Sequence, residues 1–140
     1  MRLGGIDVPH DRQLVGHSDA DVLLHAITDS LLGAAALPDI GRLFPNTDSN
    51  NRGRDSADML RAAAARLNDA GYHIVNLDCV IHAEQPKLSD YYDAIRHRIA
   101  GILSLNPHQI GIKAKTGEGT GPVGQQELIE ARCIALIEHP

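Results

Sequence analysis

Two histidines and three carboxylates fall within the fourteen residues from Gly16 to Asp29. Asp21, His25 and Asp29 recur at i, i+4 and i+8, a spacing that stacks side chains on one helical face. His17 stands just before that helix, where unpaired backbone N–H groups attract anions. Imidazoles beside carboxylates suit a divalent cation. A lone histidine in an apolar helix is as readily a satisfied core residue. The density of His and Asp around His25 favours a metal or phosphate site at the head of the helix.

A second stretch that could do chemistry runs from Lys115 to Gly124. Gly119, Gly121 and Gly124 match GxGxxG. Pro122 interrupts the pattern, and too little chain follows for a dinucleotide fold. Lys115-Thr116 precede the glycines, the reverse of a Walker loop. The surviving reading is a backbone N–H cradle for phosphate, with Lys115, Thr116 and Glu118 at its rim. A plain solvent hairpin is its rival. His10, His73 and His82 match no ligand spacing and read as surface or satisfied polar groups, with His82 placed on the strand face opposite Val80.

The elements that position these groups follow from caps and periodicity. Ser18, with Asp21 as box partner, caps a helix from about Ser18 to Ala36 that Pro38 stops. Val22, Leu23, Ile27 and Leu31 form its stripe. Asp39 to Asp48 is mixed, and Ser49 to Gly53 is a polar loop. Asp55-Ser56-Ala57-Asp58 caps a second helix, which carries Met59, Leu60, Ala63, Ala64 and Leu67 inward and ends at Gly71. Tyr72 to Ala83 is a strand, Glu84 to Lys87 a turn, Ser89 to Leu103 a helix, and Gln109 to Lys115 a strand. Gln126 to Glu138 suits helix or buried strand, and strand is favoured. Met1 to Pro9 is a short strand ending in a turn, with Gly4-Gly5 like a hairpin whose first arm is missing. The order implies an α+β fold, a mixed sheet covered by helices.

Composition narrows the function. A chain of 140 residues suits one domain with a real core. A net charge of −5, 3% aromatics and no Trp argue against a general nucleic-acid binder and leave room for a small anionic substrate. Cys79 and Cys133 form no CxxC pair and read as thiols in a reducing cytoplasm. The longest mainly apolar run, Leu31 to Leu37, is too short to span a bilayer. Residues 1–15 lack the apolar core of a signal peptide. The expectation is a cytoplasmic protein with neither nucleic-acid nor membrane partners.

Several segments together resemble the 2-C-methyl-D-erythritol 2,4-cyclodiphosphate synthases of non-mevalonate isoprenoid biosynthesis. They are Gly16-His17-Ser18-Asp19-Ala20-Asp21 through His25-Ala26, Leu31 to Ala36 with Asp39-Ile40-Gly41, Phe44-Pro45 with Thr47-Asp48, and Lys113-Ala114-Lys115-Thr116 with Glu118. The resemblance covers nearly the whole chain, residues 1–140 as one synthase-like domain. It implies a homotrimer with sites at subunit interfaces, each subunit packing helices on one face of a four-stranded mixed sheet. It implies a phosphorus–oxygen lyase that converts 4-diphosphocytidyl-2-C-methyl-D-erythritol 2-phosphate to the cyclodiphosphate with release of CMP. Zinc, plus magnesium or manganese on the diphosphate, would be the cofactors.

By matching position, His25 would ligate zinc. His17 and Thr116 would stabilise the transition state, and His17 and Ser18 would border the erythritol phosphate. Asp39, Ile40, Gly41, Phe44, Pro45, Asn46, Thr47 and Asp48 would shape the erythritol pocket. Ala83, Glu84, Gln85, Pro86, Lys87, Leu88 and Ser89 would bind cytidine. Lys115, Thr116, Gly117 and Glu118 would hold the diphosphate from the neighbouring subunit.

The sequence departs from the family in three places. It starts at the family's second strand, after the Asp-x-His strand that gives two zinc ligands. Asn46 stands where an acid is usual, and Gln125 where Arg is common. The first departure opens a second reading, a catalytically silent trimer that binds cytidine nucleotides. A metal-dependent phosphohydrolase using His17, Asp21 and His25 is a third.

Overall fold

The computed structural model describes residues 1–15 and 19–140. It starts with a hairpin: Arg2–Leu3 (β1) pairs antiparallel with Ile6–Asp7 (β2). Gly4 and Gly5 make the turn with φ of +64° and +78°, the left-handed pair that a two-residue hairpin needs. Both arms are therefore present, which corrects the expectation of a missing first arm.

The first long helix, Val22–Ala34 (α1), is capped by Asp21, whose side chain accepts from the Leu24 N–H. The cap expected at Ser18 lies outside the described residues. The helix starts later than expected because Asp21 has extended backbone, with ψ 91°. It ends earlier because Ala36 turns left-handed at φ +55°.

Downstream, Ile40–Leu43 (α2) and a 3₁₀ turn over Ser49–Asn51 give form to the segment read as mixed and polar. Ser56–Asp69 (α3) is capped by Asp55, as its sequence predicts. His73–His82 (β3), Tyr92–Leu103 (α4), Ile110–Lys115 (β4), a short Gly121–Gly124 helix (α5) and Glu130–Glu138 (β5) complete the order. The ambiguous last segment is thus a strand.

Among the described residues the main sheet has three strands, ordered β4-β3-β5. β3 runs parallel to β4 and antiparallel to β5. A mixed sheet is as expected, but it has one strand fewer than the resemblance implies. The N-terminal segment closes on itself through Gly4-Gly5 and packs on the helices, with the Arg98 Nε–H reaching the Gly5 carbonyl at 3.3 Å.

The helices lie on one face of the sheet. Leu77, Cys79, Ile81, Ile110 and Ile112 meet Leu23, Ile27 and Leu31 of α1, Leu60 and Leu67 of α3, and Ile95 and Ile99 of α4 in one buried cluster. Each such side chain contributes roughly 1.5–3 kcal/mol by leaving water. The other face is open: Ile134 is 77% exposed and Leu136 57%. Val80 and His82 are two apart, so they share this outer face, against the expectation that they oppose each other.

Candidate functional site

A cleft of about 660 Å³ opens beside α1. His25 enters it from α1, Ile40 and Gly41 from α2, and Phe44 and Asn46 from the segment that follows. Of the residues expected for the zinc and erythritol groups, these five line the cleft, and Asp39, Pro45, Thr47 and Asp48 do not.

His25 is held by a relay that sequence spacing does not reveal. Its Nε2 lies 2.7 Å from the Ser56 Oγ. The Ser56 hydroxyl donates in turn to Asp19 Oδ1. The Ser56 N–H donates to Asp19 Oδ2 at 2.9 Å. Burial pushes the Asp19 carboxyl up, but donors from the Ser56 side chain and backbone and the Asp21 N–H, aided by His25, hold it below its usual range. With the Ser56 proton committed to that carboxylate, the hydroxyl oxygen is left to accept from the His25 Nε2–H. Ser56 and Asp19 hold His25 at the cleft, a placement that sequence reasoning did not assign. Asp19 lay inside the opening motif, and Ser56 was legible only as part of a cap.

Asp21 does not share the His25 site. Its side chain is fully buried and turned to the hairpin, accepting from the Gly4 N–H at 2.9 Å and the Gly5 N–H at 2.7 Å. Burial raises its carboxyl pKa despite these donors. Asp29 is also structural: it accepts from the Ile40 N–H at 2.7 Å and so seats α2 against α1. Asp39 caps α2 through the Arg42 N–H at 3.0 Å. The shared face of Asp21, His25 and Asp29 thus dissolves into two anchors and one site residue.

Phe44 is held under the Arg54 guanidinium, 4.7 Å from its ring centroid, a cation–π contact. Asn51 donates to the Pro45 carbonyl at 2.9 Å, and Asp48 caps the 3₁₀ turn. Pro45, Thr47 and Asp48 do not line the cleft. They shape the loop that carries Phe44 and Asn46.

The second group gathers elsewhere, at the carboxyl ends of the parallel strands β3 and β4. The Ala83 N–H donates to the Lys115 carbonyl at 2.9 Å. Ala83 and Leu88 are buried in the core, so their side chains are not offered to a ligand. Glu84 and Gln85 line a smaller cleft of about 360 Å³ with Arg12. Gln13, Leu14 and residues 127–129 border both clefts.

The expected phosphate cradle is filled from within. The Gly117 N–H donates to Glu84 Oε2 at 2.8 Å and the Gly119 N–H to Oε1 at 3.1 Å. The Glu118 N–H donates to Thr116 Oγ1 at 3.2 Å and the Thr120 N–H to the Gly117 carbonyl at 3.0 Å. Glu118 and Gly119 both have positive φ, at +51° and +75°. Successive backbone donors thus have partners in the chain, and the loop offers side chains instead. Two glycines interlock there: a Cβ on Gly117 would lie 2.5 Å from the Gly124 nitrogen, and one on Gly124 would lie 2.4 Å from the Gly119 carbonyl carbon.

His17 and Ser18 lie outside the described residues. Among the described residues no three His, Cys, Asp or Glu converge on one point. A catalytic zinc takes about three protein ligands. His25 alone supplies an imidazole, and its Nε2 already faces Ser56. As a set, the described residues do not fit that ion.

Helices packed on one face of a mixed sheet, with a histidine in a cleft beside α1, define a two-layer α+β protein. Residues 1–138 match the YgbB family, and the chain belongs to that family. It is 52% identical over 139 residues to the 2-C-methyl-D-erythritol 2,4-cyclodiphosphate synthase of Rhodopirellula baltica, covering 99% of this chain and 84% of the relative. Its identity to the same enzyme of Chromobacterium violaceum is 53% over 135 residues, covering 96% and 85%. The solved IspF of Plasmodium falciparum in complex with CDP superposes with a TM-score of 0.87 at 34% identity, covering 98% of this chain and 82% of that one.

Proposed function

We propose that this chain is a phosphorus–oxygen lyase that cyclises 4-diphosphocytidyl-2-C-methyl-D-erythritol 2-phosphate in isoprenoid biosynthesis. An oxygen of the 2-phosphate attacks the β-phosphorus. The bond from that phosphorus to the bridging oxygen breaks, and CMP leaves with the electron pair. The observation that carries the reading is the cleft joining His25 to Ile40, Gly41, Phe44 and Asn46 in a chain half identical to such synthases.

Such a transfer needs positioning and charge neutralisation more than covalent chemistry. Ile40, Gly41 and Phe44 present a mainly apolar wall to the erythritol. The segment 83–89 meets the cytidine through its backbone and through Gln85, Pro86, Lys87 and Ser89, since the Ala83 and Leu88 side chains are buried and the Glu84 carboxylate is taken by the Gly117 and Gly119 N–H groups. A relative solved in complex with CDP supports a cytidine nucleotide as ligand. Lys115 and Thr116 are exposed at the end of β4 and neutralise and orient the diphosphate. Glu118 and His17 belong to the same reading. Zinc, with magnesium or manganese, is the implied cofactor set. The donors among the described residues do not complete its site.

The two residue groups are separate within one chain. The reading joins them across subunits of a homotrimer, and the exposed Ile134 and Leu136 on the outer sheet face support self-association. Residues 1–140 are read as one domain. No helix among the described residues is long and apolar enough to cross a membrane, and a cytoplasmic location is proposed with this activity.

The test is to supply the diphosphocytidyl substrate and a divalent cation to the purified chain. The expected products are cyclodiphosphate and CMP in equal amounts. Inorganic phosphate would indicate a phosphohydrolase instead. CMP binding without turnover would indicate the silent nucleotide-binding homologue, which the incomplete donor set among the described residues favours.

A further inference from the structure

Glu84 sits in the segment assigned to cytidine, yet both of its carboxylate oxygens are engaged by the loop after β4. It is half-buried and spans the turn that follows β4, accepting from Gly117 and Gly119 at 2.8 and 3.1 Å. The backbone just before it is already joined to Lys115 through Ala83. The segment after β3 and the loop after β4 are therefore fastened three times: once by backbone, twice by one side chain.

We propose that Glu84 is a positioning residue. It fixes the Lys115–Glu118 loop relative to the nucleotide segment and reserves the loop's backbone donors, so that the diphosphate is met by side chains. The proposal rests on the synthase reading above.

Three physical points support it. A carboxylate bound by two N–H groups is held by charge-assisted bonds, roughly twice as strong as neutral ones. The same negative charge keeps phosphate oxygens off those two donors, because like charges in a half-buried setting repel. The turn also uses the Thr116 hydroxyl oxygen as an acceptor from the Glu118 N–H, which leaves the hydroxyl proton free to be donated to another acceptor. A Thr116 that drifts by about 1 Å loses alignment with the reacting phosphorus, a displacement that can cost on the order of a hundredfold in rate. Glu84 touches no reacting atom and acts through Thr116 and Lys115.

The experiment compares the full chain with E84A and E84Q. In E84A, kcat falls about 10- to 100-fold, while CMP affinity stays within about threefold. E84Q keeps one acceptor oxygen for one of the two N–H groups and gives an intermediate kcat. Amide exchange supplies a readout that needs no turnover: Gly117 and Gly119 exchange slowly in the wild type and at least about tenfold faster in E84A. Unchanged protection in E84A overturns the proposal. So does full kcat in E84A with the protection lost, or a loss confined to CMP affinity. A wild type with no turnover defeats the synthase reading and the catalytic half of this one. The exchange comparison still decides whether Glu84 holds the loop.

Discussion

Replacing Asp21 by alanine removes the fastening between the N-terminal hairpin and α1. The carboxylate accepts three backbone N–H groups, from Gly4, Gly5 and Leu24, at 2.9, 2.7 and 3.0 Å. Hydrogen bonds to a charged group contribute about 1.5–3 kcal/mol each, which sums to an upper bound of about 4.5–9 kcal/mol. Relief of the burial that raises the Asp21 carboxyl pKa offsets part of this sum, and about 3–5 kcal/mol remains. Set against the 5–15 kcal/mol typical of a folded domain, this is a large fraction of the stability. With a urea slope of about 2 kcal/mol/M, the unfolding midpoint falls by about 2 M. Urea titration followed by far-ultraviolet circular dichroism measures it, and a loss below about 1 kcal/mol refutes the argument.

D21N adds a test of sign. The folded carboxyl is raised above its ordinary 3.8, so the folded chain holds a proton that the unfolded chain releases. The wild-type advantage over D21N is therefore full below that ordinary value and declines as pH rises through the folded one. An advantage that grows over this window sinks the assignment of Asp21 as a desolvated anchor.

Two further outcomes follow from geometry already described. S56A deletes the hydroxyl between His25 and Asp19 and costs about 2 kcal/mol, read as a fall in melting temperature of roughly 5–10 °C; an unchanged melting temperature contradicts the relay. The double variant I134K/L136K places two charges on the open sheet face, so sedimentation that shows a trimer for the wild type shows a monomer for the variant. Identical sedimentation of the two chains removes that face from the assembly.

Caps and periodicity made most of the fold readable. Asp55 before α3, the stripe of Ile95, Ile99, Ile102 and Leu103 on α4, and the branched run Ile134 to Ile137 each announce their element through local preference. What stayed hidden depends on groups distant in sequence. Asp21 looks like a site carboxylate because helical spacing cannot show that two glycine N–H groups sixteen and seventeen residues away claim it. The N-terminal hairpin was misread because a two-residue arm carries almost no periodic signal. The relay was hidden for the same reason, since Ser56 lies thirty-one residues from His25. The glycine loop was legible as a place where backbone bends tightly. That its donors serve Glu84 rather than a phosphate could be learned only from a contact thirty-three residues long.

The interlocked glycines have an implication for redesign. Since neither Gly117 nor Gly124 has space for a methyl group, substitutions at these two positions would break the loop rather than reshape it. Altered selectivity must be sought in the side chains mounted on it, at Lys115, Thr116 and Glu118, leaving the scaffold beneath them as inherited.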